Sequence, residues 1–413
     1  MRQSQLFTKT RKEAPKDEVS INAILLTRAG FIHKEMAGVY SYLPLGLRVL
    51  KKIENIIRQE MNAIGAQELL MTTLQDPEIW KKTGRWNDSV VDNWFKTKLV
   101  NGNDLGIANT HEEPMTAMLR EFVSSYKDLP LYTYQFQTKF RNELRAKSGI
   151  MRVREFLMKD LYSFSKTEEE FKEFYEKCAE AYMKIFERVG LGDKTYRTVA
   201  AGGSFTTNLT DEFQTLSEAG EDIIFITDEK KKLAINKEVE DKGDGGRKSI
   251  EIGNIFPYGS RYSDALGVYF KDEKGKNKSI FMGAYGIGLG RLMGTVVEVL
   301  SDEKGIVWPR EISPFNVHLL VLTEDAKSFA DEVYEVLTSR GIEVLYDDRD
   351  IRAGEKFADA ELIGISTQVI IGEKAVKSKM LEIKDRSSGK TREMTLENLI
   401  NEFNPSTLFR IKK

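Results

Sequence analysis

The residues with the clearest chemical meaning fall in two stretches. Phe140-Arg141-Asn142-Glu143 is followed, after a short loop, by Arg152-Val153-Arg154-Glu155-Phe156, and far downstream stands Gly286-Ile287-Gly288-Leu289-Gly290-Arg291. From Tyr132 to Glu143 the chain alternates as a strand does. Tyr132, Tyr134, Phe136, Thr138 and Phe140 fall on one face; Thr133, Gln135, Gln137, Lys139, Arg141 and Glu143 fall on the other. The polar face therefore carries Arg141 and Glu143 side by side. Arginine offers a planar, permanently charged fork that suits a phosphate and a carboxylate together. A carboxylate such as Glu143 accepts hydrogen bonds only and can take an exocyclic amine. Phe156 could stack on a purine, Arg152 could reach distal phosphates, and Arg291, opening an apparent helix over 291–300, could hold an anion from the opposite side. The glycines before it allow close approach of backbone to a ligand. Each feature also has a plainer reading: a solvated Arg/Glu pair, or a tight packing turn. The glycine spacing fits neither a Rossmann fingerprint nor a P-loop.

The elements that must position these residues can be sketched. Leu50, Ile53, Ile57, Met61 and Ile64 recur at helical spacing, which predicts an amphipathic helix over about 46–64 that stops at Gly65. Residues 67–74 and 94–109 read as strands, and Pro114 to Tyr126 as helix. Residues 131–164 read as hairpin strands, 167–189 as a long helix and 249–285 as antiparallel-type strands. Between Asp228 and Arg247 the chain turns polar and reads as a linker or surface excursion. After Ile312-Ser313-Pro314 the pattern becomes strand (316–322), helix, strand (342–346), helix (357–363), strand (368–371). That alternation predicts a compact α/β domain with a largely parallel sheet.

The bulk numbers narrow the class. With 413 residues the chain can hold two or three domains. A net charge of −2, from 62 basic and 64 acidic residues, means that any nucleic-acid surface must come from local patches. One cysteine, Cys178, excludes a disulfide framework and fits a reducing compartment. The start Met1-Arg2-Gln3-Ser4-Gln5 lacks an apolar signal region, and no apolar run reaches the length of about 18 residues that suggests a membrane span. A cytoplasmic protein with no membrane association is expected.

In this order and with these flanks, the two stretches resemble motifs 2 and 3 of the class II aminoacyl-tRNA synthetases. Tyr42-Leu43-Pro44-Leu45-Gly46 before the first long helix resembles motif 1. Further segments narrow the resemblance to bacterial-type prolyl-tRNA synthetases over nearly the whole chain. Among them are Thr110-His111-Glu112-Glu113, Gln137-Thr138-Lys139-Phe140-Arg141, Arg154-Glu155-Phe156-Leu157-Met158-Lys159-Asp160, Glu212-Phe213-Gln214 and Gly354-Glu355-Lys356-Phe357-Ala358-Asp359. The resemblance implies an α+β fold. A six- or seven-stranded antiparallel class II core would occupy residues 1–311, and a C-terminal α/β anticodon-binding domain residues 312–413. It implies a homodimer that joins L-proline to ATP as prolyl-adenylate and passes prolyl to the 3′ end of proline tRNA, with ATP and Mg2+ as cofactors.

The same resemblance assigns roles. Arg141 and Arg291 are the catalytic pair, with Arg141 bridging the proline carboxylate and the α-phosphate. Thr110 and Glu112 grip the proline amine, a cation with two N–H donors. His111 between them would point away and be structural. Glu143 and Phe156 hold adenine, Arg152 and Arg291 the phosphates, and Gln214 the ribose region, while Glu212 helps place magnesium. Arg145 would meet the acceptor end of the tRNA, and Arg352 and Lys356 the anticodon.

Departures from the family also carry content. Many bacterial relatives hold a domain-sized editing insertion between motifs 2 and 3; here only the polar stretch 228–247 stands there, so no editing in cis is expected. A proline pocket discriminates against alanine by only about 1–3 kcal/mol, which implies reliance on a free-standing trans-editing deacylase. Ala284 stands where Cys is common and Asn254 where His is usual. The loop from Gly202 to Glu212 is longer than usual. Class I signatures are lacking, and one cysteine with His33, His111 and His318 cannot form the zinc site of threonyl enzymes, so no protein-only zinc site is expected. Glycyl or histidyl specificity, or a catalytically inactive tRNA-binding regulatory paralogue, remain as alternatives. The intact set Arg141, Glu143, Arg152 and Arg291 favours an enzyme.

Overall fold

The computed structural model describes residues 1–403 apart from Asp17, Ser204, Phe205 and Thr207. Part of the 202–212 loop and the end of the 312–413 domain thus lie outside the described residues. The chain divides into two compact units: Lys34–Tyr40 with Ile53–Thr295, and Met1–His33 with Ser41–Lys52 and Val296–Lys413. By compactness the N-terminal segments and 296–311 therefore group with the C-terminal residues, a division different from one at 311/312.

The larger unit is built on a nine-stranded sheet, rather than six or seven strands. Its strands are β1 (Gln67–Glu68), β2 (Leu131–Phe140), β3 (Glu155–Ser165), β4 (Thr195–Ala201), β5 (Leu209–Leu216), β6 (Asp222–Asp228), β7 (Leu233–Asn236), β8 (Arg247–Gly259) and β9 (Phe281–Gly288). Their order is β5-β4-β7-β6-β8-β9-β3-β2-β1. All pairings are antiparallel except β1 with β2 and β7 with β4. Because β5 also pairs along β8, the strands β5-β4-β7-β6-β8 close into a ring around Tyr196, Ile224 and Ala234.

That ring corrects the reading of 228–247 as a linker. Leu233–Asn236 is a strand of the sheet, with Ala234 and Asn236 buried. The charges belong to the turns on either side of it. The strand expected over 67–74 is split into Gln67–Glu68 and Leu74–Gln75, and the latter joins a separate three-stranded sheet with Lys96–Lys98 and Asp104–Ile107. The helix expected from Pro114 to Tyr126 is instead Glu112–Met118, continued by short 3-10 turns.

Three helices follow the predicted pattern: α1 (Pro44–Ala63), α2 (Glu168–Arg188) and α3 (Leu289–Leu300). Gly65, with φ +87°, follows the end of α1. The Thr167 side chain caps α2, and Glu168, Glu169 and Glu170 complement its N-terminal dipole. The buried face of α2, including Phe171, Cys178, Tyr182 and Phe186, covers one side of the sheet and leaves the other side to the site. Gly253 and Gly283 make this possible. A Cβ at Gly283 would lie 2.7 Å from the Phe171 ring, and one at Gly253 3.1 Å from Tyr182.

The second unit holds a five-stranded sheet of β10 (Val317–Val321), β11 (Val344–Asp347), β12 (Thr367–Ile371), β13 (Leu381–Asp385) and β14 (Thr391–Met394) in the order β11-β10-β12-β13-β14. The first three are parallel, as expected; β13 and β14 add an antiparallel edge that the sequence pattern did not reveal. Every residue of β10 is buried, as suits a strand covered on both faces. Helices α4 (Lys327–Ser339) and α5 (Ala353–Ile363) complete the alternation.

Candidate functional site

On the open side of the sheet lies a cavity of about 330 Å³ whose lining includes Arg141, Glu143, Phe156, Glu212, Asn254 and Arg291. Alternation along β3 sends Phe156, Met158, Asp160 and Tyr162 to this side. Lys159 goes to the other, where it hydrogen-bonds Tyr182. Arg141 stands just past β2, its backbone N–H donating to the Arg154 carbonyl at 2.8 Å. Its guanidinium carbon lies 5.4 Å from the centre of the Phe156 ring. Burial lowers the Arg141 pKa, opposed by Glu112, and Arg291, Glu143 and Glu251 act on it too. The structure thus brings Glu112, Glu143, Phe156 and Arg291 of the sequence-predicted residues together around Arg141.

Toward solvent, cations and anions of the site pair with each other. Arg152 donates to Glu143 through Nη2 (2.9 Å) and Nε (3.1 Å), and to Glu221 at 3.3 Å. Arg291, in the first turn of α3, donates through Nε to the Met151 carbonyl at 2.9 Å. Its Nη1 lies 3.1 Å from Glu251 Oε2. Asn254 donates to the other Glu251 oxygen at 2.8 Å. A second hollow of about 290 Å³ shares Glu143, Arg152, Glu251 and Arg291.

One wall is acidic. Burial, reinforced by Glu251, pushes the Glu212 carboxyl up to about 8. Gln214 is fully buried behind it and donates to both Glu212 and Asp222 at 2.8 Å. Gln214 is therefore placed to orient the two carboxylates rather than to line the cavity. Among the described residues, no group of three or more His, Cys, Asp or Glu is arranged to hold a metal by itself.

At the inner end the polar groups are sealed. Thr110 donates its hydroxyl to Glu112, and both are about 95% buried. His111 is fully buried. Its Nε2 lies 3.0 Å from the Thr72 carbonyl and its Nδ1 2.5 Å from the Lys139 ammonium, which sets the proton on Nε2. Lys139 also donates to Asp160 at 2.8 Å, as do Gln135 and the Tyr162 hydroxyl. Burial, aided by Lys139, depresses His111 to about 4, so it is neutral at ordinary pH. The sequence gives His111 a structural place, as found, but no role to Gln135, Lys139, Asp160 or Tyr162. The signal was present, since Gln135 and Lys139 share the polar face of β2 with Arg141.

Of the residues expected to face tRNA, Arg145 is exposed in the loop after β2 and Arg352 is exposed at the N-cap of α5. Lys356 corrects the expectation. It is 3% exposed, and its ammonium donates to the backbone carbonyls of Val321 (2.7 Å) and Asp347 (3.2 Å), so it ties strand ends together and is closed to a partner. Ala284 is buried on β9 opposite Tyr162 and Phe256.

Comparison with known proteins gives this arrangement its context. Residues 95–300 match the family model of the tRNA synthetase class II core domain (G, H, P, S and T), and residues 313–404 that of an anticodon binding domain. The proline–tRNA ligase of Wolbachia sp. subsp. Drosophila simulans (strain wRi) is 40% identical over 424 residues, covering 98% of this chain and 99% of the relative. That of Hyphomonas neptunium is 37% identical, covering 98% and 100%. Among solved structures, Giardia lamblia prolyl-tRNA synthetase in complex with prolyl-adenylate superposes with a TM-score of 0.78 at 18% identity, over 92% of this chain and 75% of that one, a likeness of fold. With the motif arginines gathered on the open side of a class II sheet and relatives matched end to end, the chain belongs to the class II prolyl-tRNA synthetase (proline–tRNA ligase) family.

Proposed function

We propose that the chain joins L-proline to ATP as prolyl-adenylate and transfers prolyl to proline tRNA, with Arg141 as the pivot. The observation that carries this reading is that Arg141 lines one cavity with Glu143, Phe156, Glu251 and Arg291, with Glu112 also close enough to act on its charge. Attack of a carboxylate on the α-phosphorus of ATP gathers negative charge, and a desolvated, fixed cation at that point stabilises the transition state. Thr110 and Glu112 would accept the two N–H groups of the proline amine. Glu143 and Phe156 would hold adenine, and Arg152 and Arg291 the phosphate tail.

Mg2+ fits the donor set as a bridging ion. Glu212 and Glu251 offer hard oxygen ligands in a wall whose mutual repulsion a cation relieves, and ATP would supply the rest of the coordination. When bound, the ion neutralises phosphate charge. Residues 1–311 form the catalytic domain and 312–413 the anticodon-binding domain in this reading, with Arg145 and Arg352 toward the tRNA. A homodimer is part of this reading, and light scattering on a sizing column tests it. A cytoplasmic location and a separate deacylase for alanine-charged tRNA complete the proposal. Rapid hydrolysis of mischarged tRNA by the purified chain would count against the latter.

The test is amino-acid-dependent ATP–pyrophosphate exchange across the twenty amino acids. Proline should support strong exchange and alanine weak exchange. No exchange with any amino acid, despite tRNA binding, would move the chain to a regulatory role.

A further inference from the structure

Behind Glu112 lies a buried ion cluster that the functional reading does not use. Arg85 Nη1 is 3.1 and 3.0 Å from the two oxygens of Glu113, 2.9 Å from the Tyr262 hydroxyl and 3.6 Å from Glu112 Oε2. The side chains of Arg85, Glu112 and Glu113 are 5%, 6% and 0% exposed. The Thr83 hydroxyl donates to Glu113 at 2.8 Å, and the Arg85 guanidinium lies 5.2 Å from the centre of the Trp80 ring. Glu112 and Glu113 thus share one buried cation within the cluster, and Arg85 lies nearer to Glu113 than to Glu112. A buried carboxylate that shares its cation with a second one is incompletely compensated, and an arriving cation relieves it.

We infer that Glu113 and Arg85 form a positioning pair for amino-acid recognition: Glu113 holds Arg85 short of a full hydrogen bond to Glu112, so that the Glu112 oxygens stay available to the ammonium-like amine of the substrate. The inference rests on reading Thr110 and Glu112 as the amine site. The 3.6 Å gap between Arg85 and Glu112 is short enough to close by a side-chain movement once Glu113 loses its hold. Glu112 would then be hydrogen-bonded from within, its charge offset by Arg85 and less available to the substrate. The competition is visible at Glu113 itself: burial pushes its carboxyl up to about 7, Arg85 pulls it down, Glu112 pushes it up, and the Thr83 hydroxyl pulls it down.

The test is steady-state ATP–pyrophosphate exchange on the full chain. Glu113→Gln should raise KM for proline roughly tenfold or more, with kcat within about threefold and KM for ATP unchanged. Adding Arg85→Gln to Glu113→Gln should recover most of that loss, because it frees Glu112 again. A merely structural pair predicts instead that Glu113→Gln lowers stability and shifts kcat and KM for ATP along with KM for proline, and that result overturns the inference. Glu112→Gln separates the two levels. If it leaves KM for proline unchanged, the amine-site reading fails and the inference falls with it. If it raises KM while Glu113→Gln does not, the site stands and only the role of Arg85 and Glu113 is wrong. Should Glu113→Gln fail to fold, Thr83→Val weakens the hold on Arg85 from the edge of the cluster. It should raise KM for proline a few-fold at constant KM for ATP, and no change would sink the idea.

Discussion

The two ends of the site are built on different principles. At the inner end, Thr110, His111, Glu112, Lys139 and Asp160 are each at most 5% exposed, and their charges are held by neighbours on β2 and β3. At the outer end, the side chains of Arg152 and Glu221 are 43% and 44% exposed and those of Arg291 and Glu251 37% and 25%, paired with each other. An exposed ion pair contributes about 0–1 kcal/mol, so these arginines can trade a carboxylate for a phosphate at little cost. A buried pair cannot be broken cheaply, because one charge is left without water or a partner. In the proposed function the small amino acid would meet the rigid end, and the long, highly charged nucleotide the exchangeable end.

Arg141 sits on the border, and its loss should produce the largest effect. Arg141→Ala should lower proline-dependent exchange by about 10³-fold or more. Activity within tenfold of wild type would show that the border is not where the chemistry happens. Asp160→Ala should next separate the two ends by stability. It leaves Lys139 buried and uncompensated, at a cost of about 3–5 kcal/mol in urea unfolding. If its cost matched that of a rim substitution, the contrast between the ends would collapse.

The rigid end should also show in the pH dependence of stability. Burial depresses His111 to about 4, against about 6.5 in the unfolded chain. Between those values the unfolded chain takes up a proton that the folded one refuses. Stability is thus complete above pH 6.5 and lost as pH falls toward 4, by up to about 3 kcal/mol. Glu113 acts in the opposite sense. Its carboxyl, raised to about 7, keeps a proton in the folded state that the unfolded chain releases near 4.5, so its contribution is lost as pH rises through 7. His111→Gln should flatten the acid limb of a stability–pH curve while leaving the limb above 6.5 in place. An unchanged acid limb would mean that His111 is not the neutral, buried group described.

What the sequence revealed and what it hid follow from the same distinction. Helix α1, the hairpin β2–β3 and the arginines of the site were legible because each depends on local periodicity or on residues within one element. The pairing of Gln135 with Asp160 depends on the register between β2 and β3, and that of Arg85 with Glu113 on two distant segments, so neither showed in the pattern. The strand Leu233–Asn236 was masked by its charged turns, and its place depends on closing a ring with β4 and β6. At Lys356 the sequence showed a charge but not the two carbonyls that bury it.

The smallest effect probes the exchangeable end most directly. Arg152 is shared between Glu143 and Glu221, and ATP would have to win it from at least one of them. Arg152→Ala should therefore raise KM for ATP by roughly tenfold, leave KM for proline alone and shift stability by less than about 1 kcal/mol. Glu221→Gln removes a competitor instead of a ligand, so it should lower KM for ATP slightly, by about twofold, and more at low salt than at high salt. A rise in KM for ATP with Glu221→Gln would mean that Glu221 organises Arg152 for the nucleotide. The outer end would then be preorganised like the inner one.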